Sequence, residues 1–442
     1  MRNDLINWFK RNLLLVPDHL IYIIVGVAFI LRVSMIFIIP TSEDTTNVWP
    51  FTRNIVENLL AGNGYSIDGM KPDLYIFPVY PFFLAFLRLL RISFFYAKIV
   101  QCFIGALTCL FIYHIGKRIF NEKIGLLAGF LWSIYPYSIV HSKALEDSTL
   151  LTFFVVLTML LSVIFMEKKN YLNAVLLGLF CGLSAMTRNT FFAFLPFFLI
   201  WLIVYLRKKY WKHILVIIAV IFFIVIPWVI RNYIHSGYIT LTTHGGSVVW
   251  IGNNQYINSL LKANLNQDYV IMVPGFVDIL CSPQEDRIYY RKAINFILSN
   301  PGTFIENILL RLYYFYGWNY YFRQVPVSGD LTADLTAENI EKIKAEADKV
   351  YSQSHYRLRS LMYSLSAFPL FLMAVGGFFT SPIRSKYHQL TLIFILSFTA
   401  VHILSIANIR HRQPIDAIFT LYAANFIFWI ISKISKISHF RN

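Results

Sequence analysis

The sequence STLLTFFVVLTMLLSVIFM, residues 148–166, is a run of nineteen residues without a charge. A helix of this length and composition is long enough to span the hydrocarbon core of a bilayer, which is about 30 Å thick. Lys168 and Lys169 follow it, and three further apolar runs come directly afterwards, at 171–187, 190–206 and 213–230. This alternation predicts consecutive membrane spans joined by short polar connections.

Similar runs lie on both sides of this stretch. They occur at 20–39, 95–116 and 124–140 before it, and at 357–379, 389–407 and 414–432 after it. The whole chain is 57% hydrophobic and only 14% charged, whereas soluble domains carry about 25% charged residues. We therefore predict an all-α polytopic membrane protein, a bundle of about ten spans with additional interfacial helices.

The positive charges predict the orientation of the chain. Alternate short connections carry lysine and arginine, and such connections remain in the cytoplasm, so we predict cytoplasmic N- and C-termini. The net charge of +16 comes from these short clusters rather than from one basic face, so nucleic-acid binding is excluded. The basic connections lie at 117–123, 168–169, 207–212 and 384–386.

Three segments are then external: 40–94, 141–147 and 231–356. Two apolar pieces within them, Pro78–Ile92 and Ile305–Phe322, are predicted as interfacial helices, because one is short and the other is rich in aromatic residues. The first apolar run ends without small residues for cleavage, and we interpret it as an uncleaved span of a bacterial or archaeal cell membrane protein. The predicted units are a membrane module (1–230) with a catalytic first external loop (40–94), an external region (231–356), and C-terminal membrane helices (357–442).

Soluble-enzyme motifs are missing from the sequence. It contains no G-x-x-x-x-G-K-[ST], no G-x-G-x-x-G after a strand, no D-x-D and no H-E-x-x-H. The four cysteines have no metal-ligand spacing, and a disulfide framework is not expected. An enzyme of this composition takes its substrate from the membrane, and a lipid-linked donor meets that requirement.

The first external segment supplies candidate catalytic carboxylates. Glu43 and Asp44 follow a few residues after the first span, at the membrane surface, where a lipid-phosphate sugar would present its anomeric carbon. Phosphate is already a good leaving group, so the reaction needs mainly a base that removes the proton from an acceptor hydroxyl. The alternative is two solvated acids near a helix N-terminus, where negative charge is favoured.

Several motifs resemble a known family. In order they are NLLAGNGYS (58–66), FPVYPFFLAFLRLL (77–90), GKRIFNEKIGLLAG (116–129), LSAMTRNT (183–190), IPWVIRNY (226–233), HGGSVVWIGNN (244–254) and RHRQPIDAIFTLYAA (410–424). Together they resemble the C-type (GT-C) membrane glycosyltransferases, closest to glycosyltransferase family 39, which includes the dolichyl-phosphate-mannose–protein mannosyltransferases and the aminoarabinose transferases.

The resemblance implies an inverting transferase that moves a sugar from a polyprenyl-phosphate donor to an acceptor hydroxyl on the external face. It also implies that the catalytic acid is in the first external loop, which makes it Asp44, with Glu43 beside it. The family acid usually stands nearer the N-L-L-x-G-x-G-Y stretch, by about one helical turn, so the choice between Glu43 and Asp44 stays open.

Further residues are candidate ligands of the substrate. Glu146 and Asp147 would orient the acceptor or hold a divalent cation through oxygen ligands, although Asp147 also suits a helix cap. Positive groups would receive the lipid phosphate, unless they snorkel to headgroups or form structural ion pairs. These positive candidates are Lys143, Arg188, Arg231, Arg410 and Arg412.

The segment that starts at His244 contains glycines that permit close approach to a ligand. Asn253 and Asn254 carry amides that would hydrogen-bond sugar hydroxyls, and ordinary turn chemistry is the alternative. Two other functions remain open from the sequence, a transporter or flippase and a ligase for lipid-linked glycans. The sugar, the acceptor (lipid, glycan or protein) and any metal are not specified by these residues.

Overall fold

The computed structural model describes residues 19–38, 49–206, 208–278, 280–317, 334–352, 354–382 and 384–439. Within these ranges the chain is helical, with an isolated bridge between Ser66 and Pro72 in place of a sheet. The helices are α1 Leu20–Ile38, α2 Pro50–Ala61, α3 Val79–Leu89, α4 Phe94–Ile119, α5 Glu122–Ser133, α6 Pro136–His141, α7 Asp147–Glu167, α8 Tyr171–Thr187, α9 Thr190–Tyr205, α10 Trp211–Ser236, α11 Gly245–Gly252, α12 Ile257–Lys262, α13 Pro283–Ser299, α14 Pro301–Tyr316, α15 Ala337–Tyr351, α16 Ser354–Thr380, α17 Lys386–Leu404 and α18 Gln413–His439.

The long apolar helices confirm the predicted class of protein. In the described ranges, six are long and apolar enough to cross a membrane, namely α1, α4, α7, α10, α17 and α18, the last together with the turn before it. Shorter apolar helices of 10–17 residues accompany them: α3, α8, α9 and the second part of α16. The chain is an all-α, multi-pass integral membrane protein.

The predicted run 124–140 is not one continuous helix. It divides into α5 and α6 at Ile134 and Tyr135, because Pro136 lacks a backbone N–H and suits the first turn of a new helix. Arg32 of α1 donates to the carbonyls of Trp132 and Ser133, both at 3.4 Å. These bonds add side-chain donors to carbonyls at the end of α5, where the regular hydrogen-bond ladder stops.

The predicted interfacial piece at 78–92 forms α3, a helix of 11 residues. At 1.5 Å per residue it is about 16 Å long, half of what a membrane span needs. α18 packs against α16, α5 and α7 in the middle of the bundle. Gly377 of α16 lies directly against the backbone carbonyl of Tyr422, so α16 and α18 approach more closely than a side chain there would permit.

The connections divide the bundle into two ends. At the basic end, Arg118 lies 3.5 Å from Glu167, and the indole of Trp201 donates to the carbonyl of Lys386. The loop end holds the segments 62–78, 142–146, 237–282 and 405–412, which contact one another; for example, the Thr243 amide donates to the Leu74 carbonyl. The structure thus gathers basic connections at one end, as the charge pattern predicts.

A smaller hydrophobic core lies in the region after α10. It is formed by α12, the turn Gln267–Met272, α14 and α15. Helix α15 is rich in glutamate and lysine, and it buries Ile340, Ile343 and Ala347 against this core. It is therefore solvated on one face only.

Candidate active site at the loop end

Two consecutive acids begin α7 at the loop end. Glu146 occupies the N-cap with extended backbone angles, φ −135° and ψ 163°, and its side chain makes no capping hydrogen bond. Asp147 is the first helical residue. The predicted helix cap at Asp147 is not present, and the Glu146 carboxylate does not cap the helix either. Both carboxylates are therefore available to other groups.

Asp147 pairs with Arg188, the residue that ends α8. The Nε atom of Arg188 donates to Asp147 Oδ2 at 2.9 Å, and its Nη2 atom contacts Asp147 Oδ1 and, at 3.1 Å, Ser148 Oγ. This two-pronged geometry is the strong form of an arginine–carboxylate pair. The third nitrogen, Nη1, is buried without a hydrogen-bond partner among the residues that the structure describes. Arg188 therefore forms an ion pair, which was the alternative to a phosphate ligand, and it also retains one donor without a partner in the described residues. Its contact with a lipid phosphate stays a prediction.

Glu146 contacts basic side chains from two other segments. Its Oε1 atom lies 3.2 Å from His141 Nδ1, and its Oε2 atom lies 3.6 Å from Arg410 Nη1. Burial alone would raise the pKa of Glu146, but the His141 hydrogen bond and the charges of His141, Arg410 and Arg188 lower it to about 2. Glu146 is consequently ionised at every physiological pH.

Three imidazoles surround the two arginines. His411 accepts from Arg410 Nε at 3.3 Å and stacks on His402 with ring centroids 4.7 Å apart. Burial, together with the positive charges of Arg188 and Arg410, lowers the pKa of His244 to about 4. In the described part of the chain, His244 Nδ1, His402 Nε2 and His411 Nδ1 are buried without a hydrogen-bond partner. We call these three histidines, Arg188, Arg410 and their partners Glu146, Asp147 and His141 the loop-end cluster. It offers several unused polar groups beside two positive charges.

Tyr75 and Asp268 also belong to this loop-end cluster, and, like His141, His402 and His411, they are not predicted from the sequence. The ring of Tyr75 contacts the ring of His244, with centroids 4.3 Å apart. Asp268 is half-buried, which raises its pKa, and the charge of Arg410 partly offsets that effect. Neither residue lies in a distinctive motif, and more than a hundred residues separate each of them from its partner in the chain, so no local signal identifies them.

Arg231 fastens the first loop to the end of α10. It donates to the carbonyls of Asp73 and Tyr65 at 2.5 and 2.9 Å, and its guanidinium lies over the ring of Trp228. It does not snorkel to the surface in this arrangement. These contacts fix the segment that contains Tyr75, whose ring lies against His244.

The remaining predicted ligands have partners within the fold. The amides of Asn253 and Asn254 donate to backbone carbonyls, among them Leu404 O and Trp250 O. Arg412 is fully buried and pairs with Asp416 at 2.8 Å. Lys143 is buried at 7% exposure. Their contact with a substrate stays a prediction, and for Arg412 the structural ion pair foreseen as the alternative is present.

Glu43 and Asp44 lie outside the described residues, between the end of α1 and the start of α2. Among the residues that are described, no group of three histidine, cysteine or acidic side chains is arranged to hold a metal ion. Glu146 and Asp147, the predicted oxygen ligands, each face an arginine. A cation site that includes Glu43 or Asp44 stays a prediction.

An apolar groove of about 300 Å³ lies beside the loop end, between α3, the end of α8 and α10. Met186 lines it and stands two residues before Arg188, while Trp228 lines it and lies under Arg231. Two residues that line the groove are therefore close in the chain to Arg188 and Arg231. Its lining residues are Pro78, Val79, Phe82, Met186, Ile224, Pro227 and Trp228.

Comparisons with known proteins support the resemblance. Residues 71–230 match the family model described as dolichyl-phosphate-mannose-protein mannosyltransferase. No curated protein sequence matches the chain significantly. The fold is similar to solved structures of the Archaeoglobus fulgidus oligosaccharyltransferase, at 13% sequence identity in each case.

The apo form of that enzyme has a TM-score of 0.52, over 98% of this chain and 52% of its own. The complex with zinc and sulfate has a TM-score of 0.51, over 93% and 49%. The complex of archaeal oligosaccharyltransferase AglB with an inhibitory peptide and a dolichol-phosphate has a TM-score of 0.50, over 98% and 52%. The chain spans about half the length of these proteins. The predicted resemblance is confirmed: the chain has a GT-C membrane fold, and its residues 71–230 carry the sequence pattern of the mannosyltransferase family.

Proposed function

We propose that this protein is an inverting glycosyltransferase that moves a sugar from a polyprenyl-phosphate donor to an acceptor hydroxyl on the external face of the membrane. The observation that carries the proposal is the loop-end cluster. Arg188 and Arg410 are each held by a carboxylate, and Arg188 retains a buried donor that lacks a partner among the described residues. Such a cluster suits a phosphate group that arrives with a lipid.

The proposed reaction is a single displacement. The acceptor oxygen forms a bond to the anomeric carbon while the bond from that carbon to the phosphate oxygen breaks, so the configuration inverts. The acceptor proton passes to Asp44 or Glu43, and the polyprenyl phosphate leaves with the bonding electron pair. The two arginines stabilise the negative charge that develops on the phosphate.

The carboxylates of Glu146 and Asp147 have a positioning role in this proposal. They fix Arg188 and Arg410 before the donor binds, so that little reorganisation is needed during the reaction. His411 adds a hydrogen-bond donor without adding charge, because its Nε2 atom accepts from Arg410, which leaves its proton on Nδ1. The fixed guanidinium groups and this imidazole would together bind the phosphate more strongly as its charge increases.

The apolar groove supports a lipid donor. Its lining includes no charged side chain, and Met186 leads directly to Arg188 in the chain. A prenyl tail in this groove would lie beside the end of α8, the helix that Arg188 follows. The dolichol-phosphate bound to archaeal oligosaccharyltransferase, a protein of similar fold, supports the same donor class.

The proposal is tested first at the base. Purified Asp44→Asn and Glu43→Gln proteins are incubated in lipid with a panel of polyprenyl-phosphate sugars and lipid, glycan and peptide acceptors. We expect one variant to lose about 100-fold or more in transfer rate, the typical contribution of a general base, while both retain the wild-type melting temperature. Full activity of both variants, and of the double variant, would refute a base in this loop.

The orientation has a separate test. Met70 is 83% exposed at the loop end, and Arg384 is exposed at the basic end. Cysteine placed at Met70 should react with a membrane-impermeant maleimide in intact cells, whereas cysteine at Arg384 should react only after lysis. The reverse result would place the loop end in the cytoplasm.

A further inference from the structure

Helices α13 and α14 form a corner whose outer face combines exposed arginines with exposed apolar side chains. Leu298 at the end of α13 is 74% exposed, and Ile305 and Leu309 on α14 are 58% and 60% exposed. Arg287 and Arg291 are exposed on α13, at helical spacing from Ile294 and Leu298. We define the corner face as Arg287, Arg291, Ile294, Leu298, Ile305 and Leu309.

Both sides of this corner are attached to the ends of membrane spans. The N-terminal part of α13 contacts Tyr238, directly after α10: Gln284 donates to its hydroxyl at 3.0 Å, and Arg287 lies over its ring. On α14, the buried Arg311 donates to the carbonyl of Ile403, at the end of α17. These attachments put the corner at the level where the spans end.

The acidic side chains of the two helices are used elsewhere. Glu285 forms a capping box with Ser282, and Asp286 accepts from the Gly246 amide at 2.7 Å. Glu306 pairs with Lys262 at 2.9 Å. The outward charge of the corner face is therefore positive, next to apolar groups that are too exposed for an aqueous surface.

We propose that the corner face docks on the bilayer surface, with Leu298, Ile305 and Leu309 among the upper acyl chains and Arg287 and Arg291 at the level of anionic headgroups. The apolar side chains leave water, and the arginines meet phosphate groups. Because Asp286 on the same helix caps the start of α11, docking also holds the segment that begins at His244. The inference does not depend on the proposed reaction.

The test measures depth directly. A fluorescent, environment-sensitive label is attached to Leu298→Cys and to Leu309→Cys in the full-length protein in nanodiscs, with Glu346→Cys on the exposed side of α15 as the matched control. The wild-type protein, whose four cysteines are buried, is the blank. We expect quenching by lipids with a spin label near the headgroup to be several-fold stronger at 298 and 309 than at 346, and iodide quenching to be weaker.

The arginines are tested separately. In nanodiscs with anionic lipid, Arg287→Gln/Arg291→Gln should reduce lipid quenching at Leu298→Cys, and in purely zwitterionic lipid the substitutions should have less effect. Two results would overturn the proposal: strong iodide quenching at 298, which means exposure to water, or protection from both quenchers, which means that the face is covered by protein, either this chain or a second copy of it.

Discussion

The loop-end cluster and the interior of the bundle both contain arginine–carboxylate pairs. Arg410 belongs to the first region, and Arg412, only two residues later in the chain, belongs to the second. Arg410 lies 3.6 Å from Glu146, with its side chain 45% exposed. Arg412 lies 2.8 Å from Asp416, with both side chains buried at 0% and 1% exposure. Asp416 also accepts from the hydroxyl of Tyr135.

The difference teaches what each pair is for. A fully buried pair must satisfy its own charges, because removing one partner leaves the other uncompensated in an apolar interior. The side chains of the loop-end pairs are 13% to 45% exposed, so a ligand can reach them. The interior pair is therefore expected to stabilise the fold, and the loop-end pairs are expected to bind substrate.

The largest effect on stability is expected at the interior pair. Arg412→Met leaves the Asp416 carboxylate buried without its cation, which should cost about 3–5 kcal/mol of unfolding free energy. The double variant Arg412→Met/Asp416→Leu should recover most of that loss. Both are measured by thermal unfolding in detergent micelles. If Arg412→Met kept the wild-type melting temperature, the contrast between the two regions would be wrong.

Arg188→Gln should produce the next largest effect, on activity. It removes a charged donor to the phosphate, and a charge-assisted hydrogen bond is worth about 1.5–3 kcal/mol, so the transfer rate should fall about 10- to 100-fold. Arg188→Lys keeps the charge without the two-pronged geometry and should retain part of the rate. The measurement is initial velocity with the active donor, alongside melting temperature. If the loss of activity were explained by a matching fall in melting temperature, Arg188 would have a structural role like that of Arg412.

Glu146→Gln is expected to have a smaller effect. Without the carboxylate, Arg410 is less well positioned, so KM for the lipid donor should increase about 10-fold, which corresponds to about 1.4 kcal/mol. The increase should be the same at pH 5.5 and pH 8, because a pKa of about 2 keeps Glu146 ionised at both. A KM effect confined to the higher pH would contradict this assignment.

The smallest effect is expected at Asp73, in the loop that Arg231 fastens. Burial raises the pKa of Asp73 to about 6, against hydrogen bonds from Ile76 and Tyr75 and the charge of Arg231, which lower it. The folded protein therefore binds this proton more tightly than the unfolded chain. The stabilisation is complete below the unfolded pKa of 3.8 and is lost as pH rises through about 6.

Asp73→Asn should remove that dependence. The variant should lose less melting temperature than the wild type between pH 5 and pH 7.5, by a few degrees at most. Ser66→Ala in the same loop carries no titrating group and is the control. An unchanged pH dependence in Asp73→Asn would show that another group titrates.

The sequence predicts the membrane class well for a physical reason. A helix that faces lipid must be apolar along its whole length, so runs such as 148–166 can be identified without any partner, and α7 appears within one residue of that prediction. The continuous run predicted at 124–140 was wrong, because Pro136 begins a new helix, and Arg32, a hundred residues away, donates to a carbonyl beside this break.

The candidate site is predicted only in part. Glu146, Asp147, Arg188 and Arg410 stand near the ends of apolar runs, where a charge is conspicuous, and the structure brings them together. Asn253 and Asn254 lie in an equally conspicuous segment, yet their amides are used by backbone carbonyls. Residue type and position at the end of a span identify candidate site residues. They do not predict which neighbouring groups form hydrogen bonds or ion pairs with these residues.

The amino-acid sequence by itself determined the helical membrane fold, the basic connections and the acids that precede α7, because bilayer insertion depends on local composition. Only the tertiary structure decided that Arg410 contacts Glu146 while Arg412 contacts Asp416, and that Tyr75 and Asp268 join the cluster. Those pairings depend on where distant helices pack, and hydrogen bonds between such helices leave no periodic signal in the chain.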